Sequence, residues 1–304
     1  MPAMIQTRWT GRERASVMAE ARRLCMAVVA VLLGALAPAM AEPSKPRAAS
    51  ASICADQYLL ALADPEQIAS LSWEATGPLS TFAEEAAAYP SNRGGAEEFL
   101  DTDVEILLLN SHGAMELRRI MGQFDVDMVM ISTMTITFDD IARSVRDVAL
   151  KLDQVARGEA IIADIESRLA ILDRQIAEDG EGPQVTYFRP EGGGAGQGTF
   201  VDTALRRAGF RNLQADLGNT GWGRVPLEQL VLHPPDGLVI SFFDTARKGN
   251  SSRFASHSLF RRLSAEKPVM PVPGRYWTCA GPMLIDAVES LAAQRRANFG
   301  DRHD

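Results

Sequence analysis

The feature that most constrains this chain is a regular alternation. Short apolar runs with strand character fall at Ile68–Trp73, Ile106–Leu109, Val126–Ile131, Gln184–Phe188, Leu238–Phe243 and Val269–Val272. Helix-length patterns lie between them, as at Ala114–Gln123, Phe200–Ala208 and Leu284–Arg295. Strands that alternate with helices imply mainly parallel sheets covered on both faces, an α/β fold. At 304 residues, 46% hydrophobic and 23% charged, the chain has room for about two domains, and neither a disordered nor a collagen-like chain has this composition.

One segment breaks the alternation. From Asp139 to about Glu178, apolar residues recur at Ile141, Val145, Val148, Leu152, Val155, Ile162, Ile165, Leu169, Leu172 and Ile176, steps of one helical face. Thr137 or Asp139 can cap its start, and the run from Glu178 to Pro183 stops it. A single rod of roughly 50 Å is expected. A coiled coil fits less well, because Glu159 interrupts the seam and no second long heptad segment exists. The expected division is an N-terminal α/β lobe at 42–138, a connecting helix at 139–178 and a C-terminal α/β lobe at 179–304. The halves also resemble each other. Ala96-Glu97-Glu98-Phe99-Leu100 before Ile106–Leu109 matches Leu227-Glu228-Gln229-Leu230-Val231 before Gly237–Ile240 without a gap.

The N-terminus reads as an address. Arg22-Arg23 precede an apolar core that closes at Pro38 and Ala39-Met40-Ala41, the order of a cleaved secretory signal. The core is too short to span a bilayer, and Cys25 stands at its start rather than after it, where a lipid-modified cysteine belongs. Export is expected through either the Sec or the twin-arginine route, with translation beginning at Met1 or Met18. Residues 1–41 carry five Arg and two Glu, so cleavage changes the net charge from -8 to -8 - 3 = -11. So acidic a chain has no footprint for nucleic acid. Cys54 and Cys279 would remain, in an oxidising compartment.

Five ordered segments carry a family resemblance: Ser52–Leu62, Asn92–Glu97, Thr199–Leu213, Gly221–Glu228 and Pro273–Gly281. The chain resembles the periplasmic binding proteins of ABC importers for ferric siderophores, haem or cobalamin. That resemblance implies a class III periplasmic binding protein: two Rossmann-like lobes joined by one long rigid α-helix, acting as a monomer without cofactor or catalysis. It implies capture of a metal chelate or corrinoid between the lobes and delivery to an ABC permease. It also implies that Glu97 and Glu228 form salt bridges to permease arginines, a two-point recognition suited to bidentate pairing. The Pro-Asp usual before the following strand is kept at Pro235-Asp236 but is Val104-Glu105 in the first half.

The cleft is expected at the carboxyl ends of the strands. Its candidates are Trp73, Tyr89, Arg93, Trp222, Arg224, Arg275, Tyr276 and Trp277, aromatic faces and guanidinium groups that suit a large chelate or corrin ring with acidic edges. Glycines 221 and 223 leave Trp222 without a helix or strand to be buried in. Cys54 and Cys279 form a disulfide between the lobes, remain buried thiols, or make a thiol pair that touches metal. Two other readings compete. Free zinc or manganese would need convergence of His112, His233 or His257 with carboxylates; His303 lies in the tail. An exported Rossmann oxidoreductase would use the glycine run at 192–198, with Asp216 near the ribose-acid distance, but that run is not a clean G-x-G-x-x-G. No G-x-S-x-G elbow supports a hydrolase.

Overall fold

The computed structural model describes residues 44–132, 136–177, 182–242 and 256–300. The predicted export signal, Cys25 and His303 lie outside the described residues. The N-terminal lobe runs β1 (Ala48–Ser50), α1 (Ile53–Leu62), β2 (Ile68–Ser72), α2 (Ala83–Ala86), β3 (Ser91–Asn92), α3 (Ala96–Leu100), β4 (Ile106–Asn110), α4 (Met115–Met121) and β5 (Asp127–Ile131). Its five strands are all parallel, in the order β3-β2-β1-β4-β5. The strand period of two explains the leucine run in β4. Leu108 joins the core beneath α1, whereas Leu107 and Leu109 pack on the opposite face with Phe99, Leu117 and Met121. Central β1 is alanine-rich for the same reason: Ala48 and Ala49 serve opposite faces and are both fully buried.

The expected single rod is instead two helices. α5 (Phe138–Lys151) starts at a capping box in which Thr137 and Asp140 exchange hydrogen bonds, and α6 spans Val155–Ala177. Asp153 adopts a left-handed φ of 54°, and the chain folds back so that the two helices pack on each other. The Nε2 of buried Gln67 donates 2.8 Å to the carbonyl of Leu152, satisfying a helix-end acceptor there. Gly158 makes the contact possible, because a Cβ there would come within 2.6 Å of the Ala149 Cβ. Glu159, which reads as a break in an apolar seam, pairs with Arg146 on α5 at 2.7 Å. The apolar period runs through the break because both helices bury one face.

α6 is therefore the connecting helix, about 34 Å long at 1.5 Å per residue. Arg157 fastens it to the N-terminal lobe, donating to the carbonyls of Leu62 (2.8 Å) and Ala63 (2.7 Å) and to Asp64 (2.6 Å). Arg168 fastens it to the C-terminal lobe through Asp286 (2.6 Å) and Glu289 (2.5 Å).

The C-terminal lobe runs β6 (Gln184–Phe188), β7 (Gly193–Ala195), α7 (Phe200–Arg207), β8 (Arg211–Asn212), α8 (Leu213–Asp216), β9 (Trp222–Arg224), α9 (Leu227–Leu232), β10 (Gly237–Ser241), α10 (Ser258–Glu266), β11 (Val269–Val272), α11 (Gly274–Trp277) and α12 (Leu284–Phe299). Its parallel sheet has the order β11-β10-β6-β8. That order matches β5-β4-β1-β2 of the first lobe, so the sequence repeat reflects one topology used twice.

The lobes are also joined covalently. Cys54, in the first turn of α1, and Cys279, just beyond α11, form a disulfide with Cα atoms 5.4 Å apart. Linking residues 225 apart removes much entropy from the unfolded chain. Thiol reduction, or a Cys54→Ser/Cys279→Ser variant, is expected to lower unfolding free energy by about 2–5 kcal/mol in denaturant titrations. Equal midpoints for the oxidised and reduced protein would contradict this.

Candidate ligand cleft and exposed glutamates

The exposed tryptophans stand one on each lobe, Trp73 at the carboxyl edge of the N-terminal parallel sheet and Trp222 on a separate ribbon of the C-terminal lobe. Trp73 directly follows β2, is 57% exposed, and donates its backbone N–H to the Asn92 carbonyl at 2.8 Å. Arg93 directly follows β3 and holds its guanidinium 5.9 Å from the Trp73 ring centre, a cation–π pair. In the C-terminal lobe Trp222 does belong to a strand. β9 pairs antiparallel with β7, a two-stranded ribbon whose Trp222, Gly223 and Arg224 are all exposed. Trp222 and Arg224, two apart, share one ribbon face, and Phe200 supports the Trp222 ring at 5.1 Å between centres.

Within the glycine run, Gly193–Ala195 form the paired strand β7. At Gly196 a Cβ would come within 2.2 Å of the Asn219 carbonyl oxygen, so close chain packing accounts for a glycine there.

The lobes also touch near Thr81 and Gly274. Thr81 Oγ1 donates to the Arg275 carbonyl at 3.3 Å. Gly274 lies beneath Leu79 and Phe242, whose side-chain atoms would stand 2.9 and 2.8 Å from an added Cβ. Arg275 is exposed and stacks over half-buried Tyr276 at 5.1 Å. Two expected cleft residues lie elsewhere. Trp277 is 2% exposed and packs on Tyr187 at 5.5 Å, so its face is committed to the core. Tyr89 precedes β3 and packs half-buried against the core on the amino side of that strand.

Glu97 and Glu228 are each the second residue of a short helix, α3 and α9, and each lies nine positions before a strand (106 - 97 and 237 - 228). Both are exposed, and no hydrogen bond or ion pair to either side-chain carboxylate is found among the described residues. The residue after each is used internally. Glu98 accepts from Arg93 N–H (3.1 Å) and Gly95 N–H (3.0 Å), and Gln229 accepts from the Asn219 amide at 3.0 Å. Each helix leads into a parallel strand, so its first turn lies toward the carboxyl edge of its sheet.

A family model described as "Periplasmic binding protein" matches residues 90–267. The chain belongs to that family. Solved structures agree in fold. The periplasmic haem-binding protein of Pseudomonas aeruginosa is 18% identical, with 85% of this chain and 94% of that chain covered and a TM-score of 0.61. The periplasmic vitamin B12 binding protein of Vibrio cholerae is 16% identical over 84% and 98%, TM-score 0.61. An ABC-type Fe3+-hydroxamate transport protein of Saccharomonospora viridis is 16% identical over 82% and 93%, TM-score 0.62. None of the curated proteins matches the chain in sequence. The fold is the class III periplasmic binding protein fold.

Two features of this binding protein escape its sequence. Arg189, directly after β6, lies 4.8 Å from the Phe242 ring centre and 3.2 Å from Glu191. Its position just past an apolar strand was the available signal, but Phe242 read as strand interior. It instead follows β10 with a left-handed φ of 65°, an unusual conformation for a bulky residue. Two histidines take local roles: His257 Nδ1 caps α10 by accepting from Leu259 N–H at 3.2 Å, and His112 bonds Ser111 at 3.1 Å.

The second feature is Asp56, fully buried in α1 under the carboxyl ends of β1 and β2. It accepts from the Ser72 N–H at 2.8 Å and from the hydroxyls of Ser50 and Ser72. Burial pushes its carboxyl up to about 6, against the opposing pull of those hydrogen bonds. The folded protein therefore holds this proton more tightly than the unfolded chain. The stability it contributes is present below the unfolded value near 4 and is lost as pH rises through about 6. Relative to Asp56→Asn, wild-type stability is expected to fall by up to about 3 kcal/mol between pH 4 and pH 7 in urea titrations. A difference independent of pH would show an unshifted carboxyl.

Proposed function

We propose that this chain is the exported solute-binding component of an ABC importer. In this reading it captures an iron chelate, siderophore or haem, or cobalamin between its lobes and hands it to the permease. One observation supports the proposal: exposed Trp73 with Arg93 at the carboxyl edge of the N-terminal sheet, and exposed Trp222 with Arg224 on one face of the C-terminal lobe's ribbon. Aromatic faces suit the flat parts of such a cargo, and guanidinium groups suit its acidic edges. Arg189 and Arg275 add cations near the lobe seam. The ligands named for the structural neighbours (haem, vitamin B12, Fe3+-hydroxamate) fall in the same class.

Glu97 and Glu228, exposed on equivalent helices, are the proposed docking points, placed so that a permease can sense the spacing of the lobes. The protein works as a monomer by affinity and handover. Titration of residues 42–304 with haemin, cyanocobalamin and a panel of ferric siderophores, read by tryptophan fluorescence corrected for inner-filter absorption, tests the cargo. Saturable quenching that Trp222→Ala removes is expected for one of them. No quenching by any, with the protein folded, would overturn the ligand class.

A further inference from the structure

The repeat that places Glu97 and Glu228 duplicates more than a carboxylate. Aligning α3 and α9 through their glutamates pairs Phe99 with Leu230, each 1% exposed, and Leu100 with Val231, 40% and 59% exposed. The inward position supplies the core in both lobes. The outward aliphatic, three residues after the glutamate, lies on the same helix face as that glutamate. One exposed aliphatic is ordinary, but here it recurs at the same step in both lobes, each time beside an unpaired carboxylate.

In the C-terminal lobe the feature is a built surface. Leu227, Val231 and Leu259 line an open groove of about 490 Å³ between α9 and α10, with Glu228, His257 and Arg262 at its polar rim. Leu232, 74% exposed, extends the apolar area beyond it. An apolar centre with a polar rim is the anatomy of a docking patch.

We infer that each docking point of this protein is bipartite: a carboxylate that takes a cation, and an aliphatic that takes an apolar side chain beside it. The partner is a protein that presents this basic-plus-apolar pair twice. Charge complementarity sets the register of each contact, and the desolvated aliphatic supplies binding energy that an exposed ion pair alone lacks. The inference rests on the proposed docking role of Glu97 and Glu228.

The test uses the full chain in its source cells, with a photo-crosslinking benzoylphenylalanine at position 97, 100, 228 or 231 in separate variants. Exposed Leu150 and Ile171 serve as control positions. Positions 100 and 231 are expected to label one polytopic membrane protein at least about ten-fold above the controls, on peptides carrying Arg or Lys. Glu97→Lys with Glu228→Lys should abolish that labelling. Labelling from 97 and 228 without labelling from 100 and 231 would overturn the bipartite inference and leave the docking role standing. No labelling of a membrane protein from any of the four would overturn both.

Discussion

Two arginines on one helix govern this structure. Arg157 and Arg168, eleven residues apart on α6, bind opposite lobes. Neither contact is a simple surface ion pair. Arg157 saturates two backbone carbonyls at the end of α1 as well as Asp64, and Lys45 and Arg157 hold the Asp64 carboxyl well below the usual range. Arg168 forms a bidentate pair with Glu289 and also reaches Asp286. A helix cannot stretch, so these two points set the separation of the sheets. The Cys54–Cys279 bond adds a third, covalent point at the lobe junction.

A fixed frame gives the exposed aromatics their meaning. Trp73 and Trp222 are held on separate lobes, the first beside the Arg93 guanidinium at the carboxyl edge of its sheet and the second against Phe200 on an exposed ribbon. In the proposed function, walls already in place would lose little conformational freedom when a ligand fills the space between them. The same frame fixes the spacing of Glu97 and Glu228, so their separation is a property that a partner could read.

The strand pattern was legible because parallel strands buried on both faces show as near-continuous apolar runs, and β4, β5, β6, β10 and β11 lie where those runs fall. The repeat was legible too, through Phe99 and Leu230. The fold-back at Asp153 was not. A helical pair that buries one face keeps the period of a single helix, and only the Val155–Ile162 gap with Gly158 marks the turn. Among the site residues, Trp222 was identified as exposed for an incomplete reason, since it lies in a ribbon with no sheet packed over it. Trp277 misled because its neighbours Arg275 and Tyr276 look like a cleft segment, whereas one turn of α11 carries the indole inward. A pairing between cysteines 225 residues apart leaves no local mark in the sequence.

The two arginines and the disulfide predict lobes held at one spacing, with or without ligand. Spin labels at exposed Asp101 and His233, at the ends of α3 and α9, would measure it directly by pulsed electron resonance on the oxidised protein. Saturation with whichever of haemin, cyanocobalamin or ferric siderophore binds should shift the mean distance by less than about 2 Å. A larger shift, with the disulfide intact, would mean that the helix and its arginines act as a hinge, and would contradict the account.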